Sequence, residues 1–130
     1  MGLDIAVVEK EPEVYLVTPK GEINTDTYSK LESRLKDITA KAKGIVIEMG
    51  QVSYISSMGL SAIFRIKLAV EGHGGTIALV NMQPKVQMVM EATKMLSPQI
   101  FASLQEADDY LDKFLDGIQK GTIKRPTESQ

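Results

Sequence analysis

The sequence contains no cysteine and a single histidine, and both shortages narrow the chemistry open to it. Without cysteine there is no disulfide, no thiolate zinc site and no thiol catalysis. The lone histidine, His73, has no second histidine with which to hold a metal. We therefore expect neither a metal nor another cofactor. The lack of cysteine also fits a reducing compartment, and the cytoplasm is the expected location.

Long apolar runs and a strong charge of one sign are also lacking. No stretch approaches the ~18 uninterrupted apolar residues of a membrane span, and the first residues lack a basic segment followed by a long apolar one. The formal net charge of -2 gives no electrostatic reason to bind nucleic acid. We expect no membrane insertion and no nucleic-acid partner.

The pattern of apolar residues predicts both strands and helices. Residues 4 to 9 and 13 to 18 are β-rich and are separated by "KEP", which predicts an antiparallel hairpin. A helical spacing follows and predicts a helix of about 16 to 18 residues, with Asn24 or Thr25 as its cap. The apolar positions of that helix are Tyr28, Leu31, Leu35, Ile38 and Ala42.

Further strands and helices alternate after this helix. Buried strands are predicted at residues 45 to 49 and 76 to 80, with a helix from about Ser57 to Glu71 between them. Pro84 begins a third helix that continues to about Met95. Its inner side is expected to carry Val86, Val89 and Met90, and the grouped methionines Met88, Met90 and Met95 are interpreted as core filling.

The last part of the chain predicts a weak strand at residues 99 to 103 and a final helix. Ser103 and Glu106 form the S-x-x-E capping box at its start, and Asp108 and Asp109 are placed in its first turn. Its apolar stripe comprises Ala107, Tyr110, Leu111, Phe114 and Leu115. These elements predict one α/β domain over residues 1–118, in which about four helices pack on a mixed sheet opened by an antiparallel hairpin, followed by a polar tail over residues 119–130.

Two adjacent serines, Ser56 and Ser57, lie in "YISSMGLSAI" at the predicted start of the second helix. A hydrolase nucleophile elbow requires Gly-x-Ser-x-Gly, but Ile55 stands where the first glycine belongs. His73 follows at the far end of the same helix, roughly 24 Å away at 1.5 Å per residue. Serine hydrolysis is therefore excluded, and no phosphate-binding loop motif is present either.

The helix start leaves two roles for these serines. Either Ser56 or Ser57 can act as the N-cap, whose hydroxyl accepts a backbone N–H and stabilises the helix by about 1 kcal/mol. A hydroxyl exposed at a helix N-terminus is also a favourable place for a phosphoryl group, because free N–H groups and the helix dipole stabilise negative charge. Such a modification changes the surface and not the fold.

Three segments resemble the STAS domain of bacterial anti-sigma factor antagonists. They are "GEIN" at 21 to 24, "GIVIEMGQVSYISSMGLSAI" at 44 to 63 and "GGTIALVNMQPKVQMVMEATKM" at 74 to 95. The resemblance runs from about residue 4 to residue 116. It implies a mixed sheet with helices packed on it, which agrees with the elements predicted above.

The resemblance also implies a protein that is not an enzyme. In the family, the serine before x-Gly-Leu is phosphorylated by a partner that is both an anti-sigma factor and a serine kinase of the GHKL type, and a PP2C-type phosphatase resets it. The matching residue is Ser57. The implied partner-binding residues are Asn24, Ser56, Ser57, Met58 and Gly59.

The sequence departs from the family pattern at three positions. Ser56 and Asn24 stand where the family often has aspartate, and Met58 replaces a second serine or threonine. The alternative expectation is therefore a constitutive scaffold, or a subunit of a transport or signalling complex, which uses the same surface without phosphorylation.

Overall fold

The computed structural model describes residues 2–93 and 99–119, and these residues form six strands and four helices. In chain order they are β1 (Leu3–Glu11), β2 (Val14–Ile23), α1 (Tyr28–Thr39), β3 (Gly44–Glu48), β4 (Val52–Ile55), α2 (Ser57–Glu71), β5 (Thr76–Val80), α3 (Pro84–Thr93), β6 (Ile100–Phe101) and α4 (Leu104–Gln119). The predicted end of the third helix at Met95 and the predicted tail beyond Gln119 lie outside the described residues.

The sheet is mixed and has the strand order β1-β2-β3-β5-β6, with β4 paired to β2. Strands β1 and β2 are antiparallel and are joined by a tight turn in which Glu13 has a φ of 65°. All other pairings are parallel. The predicted fold class, a mixed sheet opened by an antiparallel hairpin with four helices packed on it, is confirmed.

Side chains of the central strands alternate between two apolar clusters, as the pleat of a strand requires. In β3, Ile45 and Ile47 point into the larger cluster with residues of α1 and α2, whereas Val46 points into a smaller cluster on the other face. The smaller cluster contains Ala107 and Leu111 of α4. Helices therefore cover both faces of β3 and β5, which explains why these strands are continuously apolar.

Strand β2 extends further than its sequence predicts, and the helix after it is shorter. Residues 19 to 23 continue the strand, with Pro19 opposite Ile5 in the hairpin. Helix α1 has 12 residues instead of 16 to 18, because Asn24 and Thr27 close a hydrogen-bonded turn before Tyr28. The strand β4, from Val52 to Ile55, was not assigned from the sequence. Its four residues are too few to show a period of two.

The interpretation of α3 is partly wrong. Val86 and Met90 are buried as predicted, but Met88 is 70% exposed and Val89 is 39% exposed. The helix has only ten residues and packs on the domain with one side, so Val86 and Met90 are its only buried residues. Met88 is therefore not a core residue.

One of the two hydrogen bonds of the predicted capping box at the start of α4 is confirmed. The Ser103 hydroxyl accepts a hydrogen bond from the Glu106 N–H at 3.2 Å, while the Glu106 carboxylate accepts from the Ala102 N–H. Asp108 and Asp109 lie just beyond the first turn rather than within it, because the helix begins at Leu104.

Candidate functional site

The ends of two parallel strands bring "GEIN" and "YISS" together. In the pairing of β2 with β4, Ile23 lies opposite Ile55, so Asn24 and Ser56 leave the sheet at the same edge. The Ser56 N–H donates to the Ile23 carbonyl oxygen at 2.9 Å and continues this contact beyond the strands. Residues more than thirty positions apart in sequence thus form one surface.

Ser56 is the N-cap of α2. Its backbone is extended, with φ of -93° and ψ of 174°, and its hydroxyl accepts the N–H of Gly59 at 3.1 Å. Its carbonyl oxygen accepts the N–H of Leu60 at 2.8 Å, which is the first hydrogen bond of the helix. The choice left open by the sequence is therefore decided in favour of Ser56.

Ser57 is the first residue of α2 and has a different environment. Its side chain is exposed, and within the described part of the chain its hydroxyl takes part in no hydrogen bond. It lies at the end of a 15-residue helix where the backbone N–H groups point outward and the dipole favours negative charge. The hydroxyl is accessible and contributes nothing to the fold, as a modification site requires.

Gly59 allows α2 to approach the end of β2. A Cβ atom at this position would overlap the carbonyl oxygen of Ile23 and would lie 2.8 Å from the Ile23 Cγ2 atom. Only glycine fits, because the obstructing oxygen belongs to the backbone and cannot rotate away. This contact sets the position of the first turn of α2, and with it the position of Ser57.

Asn24 organises the loop beside the two serines. Its side-chain oxygen accepts the N–H groups of Asp26 and Thr27, at 2.9 and 3.1 Å, and its amide nitrogen donates to the Glu22 carboxylate at 3.1 Å. The Thr27 hydroxyl donates to the Glu22 carbonyl oxygen at 2.6 Å and accepts the Asn24 N–H. These contacts hold the loop through the side chains of Asn24 and Thr27 and the Glu22 carboxylate.

Two of the three departures from the family pattern, Asn24 and Ser56, thus keep the hydrogen-bond acceptors and remove the negative charges. An aspartate at either position offers the same kind of acceptor oxygen to the same backbone N–H groups. The geometry around Ser57 therefore does not require a carboxylate at position 24 or 56. What changes is the charge of the surface around Ser57.

The structure predicts different stability effects for the two serines. Ser56→Ala is expected to lower the free energy of unfolding by about 1 kcal/mol, because it removes the cap of α2. Ser57→Ala is expected to change it by less than about 0.5 kcal/mol, because the hydroxyl is exposed and unbonded. Urea unfolding followed by circular dichroism measures both. Equal losses in the two variants would contradict the assignment of the cap.

Asn24→Asp is expected to destabilise the domain near neutral pH by about 1 kcal/mol, because it replaces an amide donor beside Glu22 with a second carboxylate. Glu22→Gln in the same variant is expected to restore stability near neutral pH. A deficit that is independent of Glu22 would contradict the proposed repulsion.

Two exposed apolar side chains flank Ser57. Met58 is 38% exposed, and Tyr54 of β4 is 52% exposed. Helix α3, which carries the exposed Met88, packs beside β4. Tyr54 was not predicted as a site residue. The sequence does place an aromatic residue two positions before the cap. Its exposure could be predicted only if β4 were known to be a strand. Tyr54 and Met58 thus present exposed apolar side chains within three residues of Ser57 in the sequence.

His73 lies at the opposite end of α2 from Ser57. It occupies the turn after the helix, as predicted, and its Nε2 atom is 2.7 Å from the Thr39 carbonyl oxygen. No imidazole can therefore serve Ser57 as a general base. Within residues 2–93 and 99–119, no group of three or more histidine, aspartate or glutamate side chains is arranged to hold a metal ion.

Arg65 is a positively charged residue of α2 that contacts α1. Its Nε atom donates to the Glu32 carboxylate at 2.6 Å, and this hydrogen bond raises the pKa of the Arg65 guanidinium. Arg65 also lies 5.9 Å from the centre of the Tyr28 ring. It is eight residues from Ser57, about 12 Å along the helix. Its contacts join α1 to α2 at a distance from the serines.

None of the described helices combines the length and the apolar character that crossing a bilayer requires.

The fold and the paired strand ends define a class of domain, and comparison with known proteins identifies it. The family model for the STAS domain matches residues 6–107. The chain therefore belongs to the STAS domain family, as its sequence motifs predict.

Individual relatives show where such domains occur. BtrV of Bordetella bronchiseptica, a candidate anti-sigma factor antagonist, is 28% identical over 89 residues, which are 68% of this chain and 77% of BtrV. The anti-sigma factor antagonist SpoIIAA in its unphosphorylated form has a TM-score of 0.74 at 17% identity, covering 85% of this chain and 97% of SpoIIAA. SLC26A9 has a TM-score of 0.69 at 14% identity, covering 83% of this chain and 21% of that chain. The two structural likenesses establish a shared fold.

Proposed function

We propose that this STAS domain is a partner-switching regulator that acts as an anti-sigma factor antagonist. In this proposal the unmodified chain binds an anti-sigma factor and thereby releases a sigma factor. The observation that carries the proposal is the difference between the two serines. Ser56 caps α2, while the Ser57 hydroxyl on the same turn is exposed and makes no hydrogen bond to the described residues. The similarity to BtrV and to SpoIIAA supports the same function.

The finer proposal is that Ser57 is phosphorylated by the anti-sigma factor itself, acting as a GHKL-type serine kinase, and that a PP2C-type phosphatase removes the phosphate. Asn24, Ser56 and Met58 are proposed to form the partner-binding surface with Ser57, while Gly59, predicted from the sequence as a partner-binding residue, is buried and holds the turn in position. The structure of the phosphorylated form of SpoIIAA shows that a domain of this fold accepts a phosphate. Exposed N–H groups at the start of α2 favour the added charge.

Mass spectrometry after incubation with ATP and the cognate anti-sigma factor tests this proposal. One phosphate is expected on the wild-type chain and none on Ser57→Ala. Ser56→Ala is expected to reach the same final phosphorylation more slowly, because Ser56 belongs to the proposed partner-binding surface, and it controls for loss of the adjacent hydroxyl. A phosphate that persists in Ser57→Ala, or a wild-type chain that binds the kinase and stays unmodified, would contradict phosphorylation at Ser57.

A constitutive scaffold is the second candidate function. The neutral groups at positions 24 and 56 favour it, as does the fold shared with SLC26A9, whose relative in mouse is described as an anion transporter. This candidate predicts a stable complex that is insensitive to Ser57→Asp and carries no phosphate at Ser57.

A further inference from the structure

Strand β1 has an edge that no other described strand covers. Its nine residues pair only with β2, and it is the first strand in the order of the sheet. An edge strand offers a row of N–H and C=O groups to any strand that approaches, and proteins usually protect such edges with charges, prolines or bulges. Here the only irregularity is at the end, between Glu9 and Glu11, while residues 5 to 8 carry four apolar side chains.

One face of β1 is also uncovered by helices. Ala6 is exposed, and Val8 is 55% exposed although it pairs with Leu16, which packs against the cluster under α4. Helix α4 covers this face over β3 and β5 but meets β1 only near Lys10. The apolar edge and the apolar face therefore coincide in the middle of β1.

The charges at the two ends of β1 are opposite and select one register for a second copy. In an antiparallel pair related by a two-fold axis at Val7, Asp4 lies opposite Lys10 of the second copy at both ends, and Ala6 lies opposite Val8. On the same face, an axis at Ala6 sets Asp4 opposite Val8, and an axis at Val8 sets Ala6 opposite Lys10. On the other face, the register with the axis at Val7 sets Ile5 opposite Glu9. Opposite charges and apolar side chains are the cross-strand pairs that stabilise a sheet.

We propose that this protein forms a homodimer through antiparallel pairing of β1 with β1 of a second copy, which gives one continuous sheet. The interface is isologous, because each surface pairs with itself. Lys10 contacts Asp108 of its own chain at 3.5 Å, but this exposed pair contributes little stability and does not prevent Lys10 from facing Asp4 of the second copy. The inference does not rest on the proposed function: β1 and β4 lie on opposite sides of β2, so dimerisation leaves Ser57 accessible.

Charge reversal gives a specific test by analytical ultracentrifugation of the full chain. Asp4→Lys alone sets lysine opposite Lys10, and Lys10→Asp alone sets aspartate opposite Asp4, so each variant is expected to dimerise at least about tenfold more weakly than wild type. An equimolar mixture of the two variants is expected to form a heterodimer, because both charge pairs are then opposite. The variant with both substitutions is expected to recover the homodimer.

Lys113→Asp is the matched control for Lys10→Asp, since it makes the same change in net charge at an exposed position of α4 and is expected to leave dimerisation unchanged. Circular dichroism verifies that each variant is folded. Wild-type protein that remains monomeric at every accessible concentration overturns the proposal, whether the edge is then covered by residues 120–130 or by another protein. A mixture of the single variants that stays monomeric overturns it as well.

Discussion

Phosphorylation of Ser57 is expected to weaken binding to the anti-sigma factor by at least about a hundredfold, which corresponds to about 3 kcal/mol. Residues 54–59 around Ser57 carry no charge and include the exposed side chains of Tyr54 and Met58, and the Glu22 carboxylate lies beside Asn24 at the end of β2. A partner that covers this surface removes water from it. A phosphate with a charge of about -1.5 to -2 then loses its hydration without gaining a counter-charge fitted to it.

Isothermal titration calorimetry of the unmodified and the phosphorylated chain measures this effect. Ser57→Ala is expected to bind as tightly as the unmodified protein, and Ser57→Asp is expected to fall between the two because it carries a single charge. Ser33→Asp, at an exposed position of α1, controls for added negative charge. Equal affinity for all forms would exclude a switch at Ser57 and favour the constitutive scaffold.

Gly59→Ala is expected to lower the free energy of unfolding by about 2 to 3 kcal/mol, and the melting temperature by roughly 10 °C. Glycine to alanine inside a helix ordinarily stabilises it by up to about 1 kcal/mol, so the sign of the effect is diagnostic. The loss arises because the added methyl group overlaps the Ile23 carbonyl oxygen and separates α2 from the end of β2. Thermal unfolding followed by circular dichroism measures the change.

Gly72→Ala provides the matched comparison at the other end of α2. Its Cβ atom would lie 3.1 Å from the Leu68 carbonyl oxygen, and its φ of -62° suits alanine. Its stability is expected to remain within about 1 kcal/mol of the wild type. If Gly59→Ala is as stable as Gly72→Ala, the close approach of α2 to β2 is not a constraint on the site.

Much of the fold could be predicted because long elements repeat their pattern several times. Helix α2 runs from Ser57 to Glu71 and strand β5 from Thr76 to Val80, as the sequence predicts. The elements that the sequence does not predict correctly are those whose extent depends on a tertiary contact. Strand β4 exists because β2 continues to Ile23 and offers it a partner, and neither fact is visible in a local window.

The candidate site was predictable in outline through its family motif, but its internal roles were not. The sequence did not decide whether Ser56 or Ser57 is the N-cap, because both residues are serines. The choice depends on which of them has an extended backbone. The Asn24 network and the contact of Tyr54 with solvent also depend on β4. Met88 was misassigned because a short helix buries fewer positions than its apolar residues suggest.

The carbonyl oxygen of Ile23 accepts the Ser56 N–H and lies against Gly59. These two contacts affect how an enzyme could bind the segment around Ser57. The turn that presents Ser57 is shaped by a strand that ends more than thirty residues earlier in the chain. A short synthetic peptide containing "YISSMGLSAI" lacks that strand and has no means of holding the serine in the same orientation. If Ser57 is phosphorylated as proposed, its recognition requires the folded domain, and unfolding removes the phosphorylation site together with the partner-binding surface.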